Sequence, residues 1–289
     1  MGRRRFAAVI LIAAAAALAG CGKVTGTADL NALLTESWRA YSTGDFDFAE
    51  DTFRRAAGNP DATAEQRYGA LLGLATTYHW STSPDLSKAR ESYLELAELG
   101  GDQPRRQSVL GLAQIDLAEG KKAEAQLGLM QLIKDFPDSL EANEAALHLA
   151  DSYCDPTWDE AQASGFALPS DEQMQRGIQV LQDRLESHPD NPLAGSMHVM
   201  IADQYIQLKE FPKAVDHLLM ADKEGVEGVL TRVILLWRVA RIAEKELKDY
   251  ELAEQYYERY VDEFPRYVLI YRVMKSLERV RALRTAEES

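Results

Sequence analysis

Apolar and small residues recur along this chain at helical spacing, without the alternation typical of strands. The helical segments come in pairs, and the second helix of each pair carries a small residue at an equivalent place. These places are Ala49, Ala89, Ala125, Gly177, Ala214 and Ala253. The steps between them are 40, 36, 52, 37 and 39 residues. Such a period is typical of a helix-turn-helix repeat, so the pattern predicts an all-α fold of stacked helix pairs.

The residue types found around each small residue have physical reasons. Two helices cross closely only where small residues lie at the crossing, and an aromatic residue one turn later fills the space between pairs. Proline closes several pairs because it lacks an N–H and disfavours helix at the preceding residue. These aromatic and closing residues are Phe53, Tyr93, Tyr257, Pro60, Pro137, Pro189 and Pro265. Short turns are predicted at Gly44-Asp45, Glu119-Gly120 and Lys248-Asp249.

This pattern resembles the tetratricopeptide-repeat family over about residues 28–265. The resemblance implies a right-handed α-solenoid of about six helix pairs in 31–265, followed by a capping helix and tail in 266–289. The chain departs from the family in its fourth pair, which carries an insertion at 154–170. The sixth pair has one extra residue in its first half, and Ser37 replaces the usual Gly or Ala in the first pair. A generic helical bundle is the alternative.

The chain opens with a segment laid out like a secretory signal. Three arginines precede an apolar run of 14 residues from Phe6 to Ala19, which is shorter than a membrane-spanning helix requires. The motif Leu18-Ala19-Gly20-Cys21 resembles the lipobox of bacterial lipoproteins. The resemblance implies a signal peptide at 1–20, a lipid on Cys21 and a tether at 21–30. An ordinary signal peptide with a chance cysteine is the alternative.

Location follows from the same resemblance. Gly22 after the cysteine is compatible with sorting to the outer membrane, so we expect a lipid anchor on its periplasmic face.

The formal net charge is −14. Nucleic acid and broad contact with anionic lipid both need basic surface, so this charge argues against them as partners. If Cys21 carries lipid, Cys154 has no disulfide partner within the chain.

The sequence contains none of the common motifs of catalysis, metal binding or phosphate binding. The five histidines form no His-Glu-x-x-His motif, and the sequence has no phosphate-binding loop and no nucleophile turn. We therefore expect no cofactor, no metal and no enzymatic activity. The enzymatic alternative would need acids that converge, and Asp151 with Asp203 is the candidate pair.

The family's register implies which side chains of the first helices face a partner-binding groove. These are Trp38, Tyr41, Thr76, His79, Gln114, Asp151, Asp203 and Ile206. Apolar anchors and side-chain hydrogen bonds would hold an extended or helical segment of another protein. The alternative is that the aromatic residues only pack between repeats. In the insertion, Trp158 and Phe166 are candidate contacts, with folding back over the fourth pair as the alternative.

The ends of several pairs join an aromatic residue or histidine to proline and polar residues, as in Asp135-Phe136-Pro137-Asp138-Ser139. This resembles repeat lipoproteins of the outer-membrane assembly and Tol-Pal type. The resemblance implies a non-enzymatic scaffold for envelope proteins in an assembly or trafficking complex. The alternative is a cell-wall-associated factor that binds glycan or regulates a wall enzyme.

Overall fold

A computed structural model describes residues 27–154 and 169–287 of the chain. These ranges hold thirteen α-helices and one π-helical turn, and they contain no strand. The chain divides into two compact units, 1–145 and 146–289. The leader, Cys21, and the insertion residues Trp158 and Phe166 lie outside the described residues.

Six helices and the start of a seventh belong to the first unit. They are α1 (Thr27–Thr43), α2 (Phe46–Ala57), α3 (Ala64–Trp80), α4 (Leu86–Glu98), α5 (Asp102–Ala118), α6 (Lys122–Asp135) and α7 (Leu140–Cys154), which ends in the second unit. Helix α1 begins at Thr27, inside the segment predicted as a tether. Consecutive helices pack on one another as pairs, as the sequence predicts.

The second unit continues the same alternation and ends in a single helix. Its helices are α8 (Asp171–Ser187), α9 (Ala194–Gln207), α10 (Phe211–Glu224), α11 (Val229–Ile242), α12 (Tyr250–Glu263) and α13 (Ile270–Glu287). The prediction of about six helix pairs and a capping helix is confirmed. None of the helices in the described residues is both long and apolar enough to cross a membrane.

Local signals set the helix ends. Thr63 and Ser170 each accept a hydrogen bond from the backbone N–H three residues on, and a glutamine side chain returns the bond. This reciprocal capping satisfies two N–H groups that the helix itself leaves unpaired. The predicted turns are confirmed at Gly44, Gly120 and Lys248, which all adopt positive φ. Helices α2, α6, α8 and α12 each end two or three residues before their predicted proline.

The recurring small residues lie at the helix crossings. The five alanines of the repeat position have no exposed surface, and Gly177 is also buried. The aromatic residues pack between repeats as predicted. The Phe53 ring lies on Gly73 of α3, and the Tyr93 ring lies on Gly111 of α5, so close that neither glycine has room for a Cβ atom. The repeat spacing therefore encodes both the crossing within a pair and the contact with the next one.

The extra residue of the sixth pair is accommodated by a π-helical turn at Ala243–Leu247, directly after α11. A π turn widens the helix by one residue, which keeps the residues before and after it in register with their neighbours. The turn also buries Glu244, whose carboxylate accepts from the Tyr257 hydroxyl at 2.8 Å and from Arg279 at 2.7 and 3.0 Å. Arg279 lies on α13, so this acid ties the capping helix to the last pair.

Candidate functional site

The side chains predicted to face a groove in the first unit are mostly buried. Tyr41, Thr76, His79 and Gln114 are each less than a tenth exposed. The hydroxyl of Thr76 donates to the carbonyl of Leu72 at 2.7 Å, within its own helix. The role of these residues in partner binding stays a prediction, and they offer little surface to a partner.

Aromatic packing explains much of this burial. Trp38 is half-buried and packs edge-to-face on Phe53, with ring centroids 5.0 Å apart. The ring of His79 stacks on Trp80 at 4.2 Å and meets the edge of Tyr93 at 6.1 Å. Such pairs stabilise a core beyond the apolar area that they bury. Trp38 is the predicted aromatic of this unit that keeps accessible surface as well as a packing role.

In the second unit the predicted positions are more open. Asp151 and Asp203 are exposed, and Ile206 is half-buried. Asp203 and Ile206 lie on α9, beside the residues of α11 in the next pair. Ile206 lines a cleft of about 270 Å³ together with six other residues. They are Phe211, Trp237, Arg238, Arg241, Ile242 and Glu246.

The cleft has an apolar floor with charged groups at its edge. Ile206, Phe211 and Trp237 are half-buried, while Arg241 and Glu246 are exposed. Arg238 forms an ion pair with Asp203, which holds that carboxylate at the edge. The guanidinium of Arg241 lies 4.9 Å from the centre of the Trp237 ring, a distance typical of a cation–π contact. Within the described part of the chain, this guanidinium has the ring as its partner and no carboxylate.

Sequence reasoning missed the contribution of α11. Continuing the register into the sixth pair, with its extra residue allowed for, places Trp237 and Arg241 at the positions that Val199 and Asp203 occupy in the fifth. The signal was therefore present in the repeat. The ion pair between Asp203 and Arg238 could not be predicted from the repeat, because the register does not show which charged side chain of the next pair lies opposite Asp203.

Comparison with known proteins agrees with this architecture. The family model of the tetratricopeptide repeat matches residues 107–139 and 235–267. These two segments of the chain therefore carry the tetratricopeptide repeat. The second match includes Trp237, Arg238 and Arg241, so the α11 side of the cleft belongs to one of these repeats. A search of the curated proteins found no match.

Solved tetratricopeptide-like structures share the fold at low identity. PilF of Pseudomonas aeruginosa is 14% identical, with 85% of this chain and 96% of that chain covered and a TM-score of 0.50. A monomeric mutant of IFIT1 with m7Gppp-AAAA is 17% identical, with 88% and 56% covered and a TM-score of 0.51. At these identities the likeness concerns the fold alone.

Tetratricopeptide repeats imply a scaffold for protein–protein interaction, and proteins built from them are generally not catalytic. The cleft suits that role, since an apolar side chain can lie on its floor while Arg241 meets an acidic group. Among the described residues, no group of three or more histidine, cysteine or acidic side chains lies together in a way that could hold a metal ion.

Proposed function

We propose that this protein is a lipid-anchored, non-enzymatic scaffold of the bacterial cell envelope, and that it holds a partner of an assembly or trafficking complex. The repeats support the scaffold role. The leader and the motif that ends in Cys21 support export and a lipid anchor. We place the protein on the periplasmic face of the outer membrane, on the basis of Gly22 and the resemblance to envelope lipoproteins.

The observation that carries the binding role is the cleft between α9 and α11. Its floor is formed by the half-buried side chains of Ile206, Phe211 and Trp237. Hydration of this apolar surface is unfavourable, so covering it with an apolar side chain of a partner would be favourable. Arg241 lies at the edge with its charge available, while Asp203 is engaged by Arg238. The fitting ligand is a protein segment with an aliphatic or aromatic anchor and a nearby acidic residue.

Two other ligand classes fit less well. The chain carries a net charge of −14, which opposes a nucleic-acid ligand such as that of IFIT1. A glycan would need a free aromatic face, and Arg241 covers one face of Trp237. The enzymatic alternative relied on Asp151 and Asp203 as a converging pair of acids, and Arg238 engages the carboxylate of Asp203 in an ion pair.

Photocrosslinking in cells tests the binding role. A photoreactive amino acid at Arg241, at the edge of the cleft, should give a discrete protein adduct. The same amino acid at Arg176, exposed on α8, serves as the matched control and should give none. A glycan-binding factor would give no protein adduct at either position.

A second variant separates specific binding from chance proximity. Ile206→Asp places a charge on the apolar floor, so we expect it to lower the adduct yield from position 241 at least fivefold. Helical circular dichroism of the purified variant checks that the fold is kept. An unchanged yield in a folded Ile206→Asp protein would contradict the assignment of the cleft.

A further inference from the structure

Two histidines face each other across α9 and α10, the antiparallel helices of the fifth pair. The Nδ1 atoms of His198 and His217 lie 2.9 Å apart. Their ring centroids are 5.1 Å apart, and the ring planes are tilted by 42°. Both side chains are half-buried, so the pair is shielded on one side and reachable from water on the other.

Neighbouring side chains fix this arrangement. The ring of Tyr205 stacks on His217, with centroids 5.6 Å apart and planes 29° from parallel. Tyr205 is itself buried, and Lys213 lies over its ring at 5.2 Å while pairing with Glu210. The stack therefore keeps the His217 ring beside His198.

Two carboxylates act on the pair. Glu224 acts on His198, and Asp216 acts on His217. Their negative potential at the two rings favours a bound cation.

We propose that His198 and His217 form a binding site for a divalent transition-metal cation, with Cu²⁺ preferred. Two nitrogens that bind one ion at about 2.0 Å are about 2.8–3.3 Å apart, from square-planar to tetrahedral geometry, and the two Nδ1 atoms already lie within that range. The preference for Cu²⁺ rests on its affinity, because it binds nitrogen sites more strongly than the other divalent ions of its row.

Binding requires a change of tautomer and no loss of a proton. In the metal-free pair one Nδ1 carries hydrogen and donates it to the other Nδ1. When the ion binds, that proton moves to Nε2 of the same ring, and each ring turns by about 45° so that its Nδ1 lone pair points to the ion instead of along the line between the nitrogens. Water fills the remaining positions. The site is expected to be weaker and more exchangeable than a structural site with four protein ligands.

Copper titration of the full chain, purified without a histidine tag, tests the site. With Cu²⁺ alone as the probe, calorimetry should show one equivalent bound, and electron paramagnetic resonance should show hyperfine splitting from two imidazole nitrogens. His198→Gln and His217→Gln should each weaken binding at least tenfold. His188→Gln is the matched control, in the same unit, and should bind as the parent does.

Three results would overturn the site or its preference for Cu²⁺. A spectrum of the parent without splitting from two nitrogens overturns the site, whatever the variants do. Unchanged affinity in His198→Gln or His217→Gln overturns it as well. Tighter binding of Zn²⁺ than of Cu²⁺ by the parent would overturn the preference for Cu²⁺. Because the spectrum is read on the parent, a variant that fails to fold leaves the proposal testable.

Discussion

At the scale of single residues, two glycines show how the repeat spacing works. Gly73 and Gly111 each lie under an aromatic ring from the preceding pair, Phe53 and Tyr93 respectively. Sequence reasoning recognised the aromatic positions from their spacing. It did not recognise the glycines. A glycine inside a helix lowers helix propensity, and its packing role becomes visible only when the side chain that lies on it is known.

Substitution of Gly73 tests this contact. A methyl group there would overlap the Phe53 ring, which has no exposed surface and cannot move aside cheaply. We expect Gly73→Ala to lower the free energy of unfolding by about 1–3 kcal/mol, since overpacking outweighs the gain in helix propensity. Urea denaturation followed by circular dichroism gives the difference.

Gly69 is the matched control on the same helix. A methyl group at Gly69 would lie 3.9 Å from Leu34, an ordinary contact. Gly69→Ala should therefore leave stability unchanged or raise it by up to about 1 kcal/mol. Equal destabilisation by both substitutions would show that the Phe53 contact is not the cause.

At the scale of elements, the π turn and the capping helix act together. The turn absorbs the extra residue of the sixth pair and places Glu244 against α13, where its side chain is 1% exposed. Arg281 and Arg284 add ion pairs to Glu254 on the outer side. The extra residue was visible in the sequence. Its conversion into a π turn was not, because the choice between a π turn and a longer loop depends on what the displaced side chains contact.

Glu244 makes this attachment sensitive to pH. Burial raises the pKa of its carboxyl, but hydrogen bonds from Arg279, Lys245 and Tyr257 outweigh burial and lower it to about 2. The carboxylate therefore stabilises the fold above its unfolded pKa of about 4.5, and this stabilisation is lost as the pH falls from about 4.5 towards 2. The full effect corresponds to about 3 kcal/mol.

Glu244→Gln should remove that dependence. We expect the variant to be less stable than the parent by about 3 kcal/mol at pH 7, with the difference shrinking as the pH approaches 3. Denaturation midpoints across this range measure it. Glu278→Gln, which removes an exposed partner of Lys275, should change stability by less than about 0.5 kcal/mol throughout. A constant difference for Glu244→Gln would contradict the lowered pKa.

At the scale of the whole molecule, the sequence predicts the fold better than the site. Small residues, aromatics and prolines repeat at fixed distances, so helix pairing could be inferred without coordinates. Accessibility could not, since Thr76 and His79 hold equivalent register positions to Asp203 and Ile206 yet are buried by their neighbours. The pair of His198 and His217 was also hidden, because 19 residues separate positions that only the helix crossing brings together.

The most direct measurement follows the crosslinked partner through cell fractionation. Cells would carry a photoreactive residue at position 241 in the parent and in Cys21→Ala, which cannot accept lipid. We expect the parent and its adduct in the membrane fraction, and we expect Cys21→Ala to leave that fraction. A parent without a protein adduct, or a Cys21→Ala protein that stays with the membrane as the parent does, would contradict a lipid-anchored scaffold.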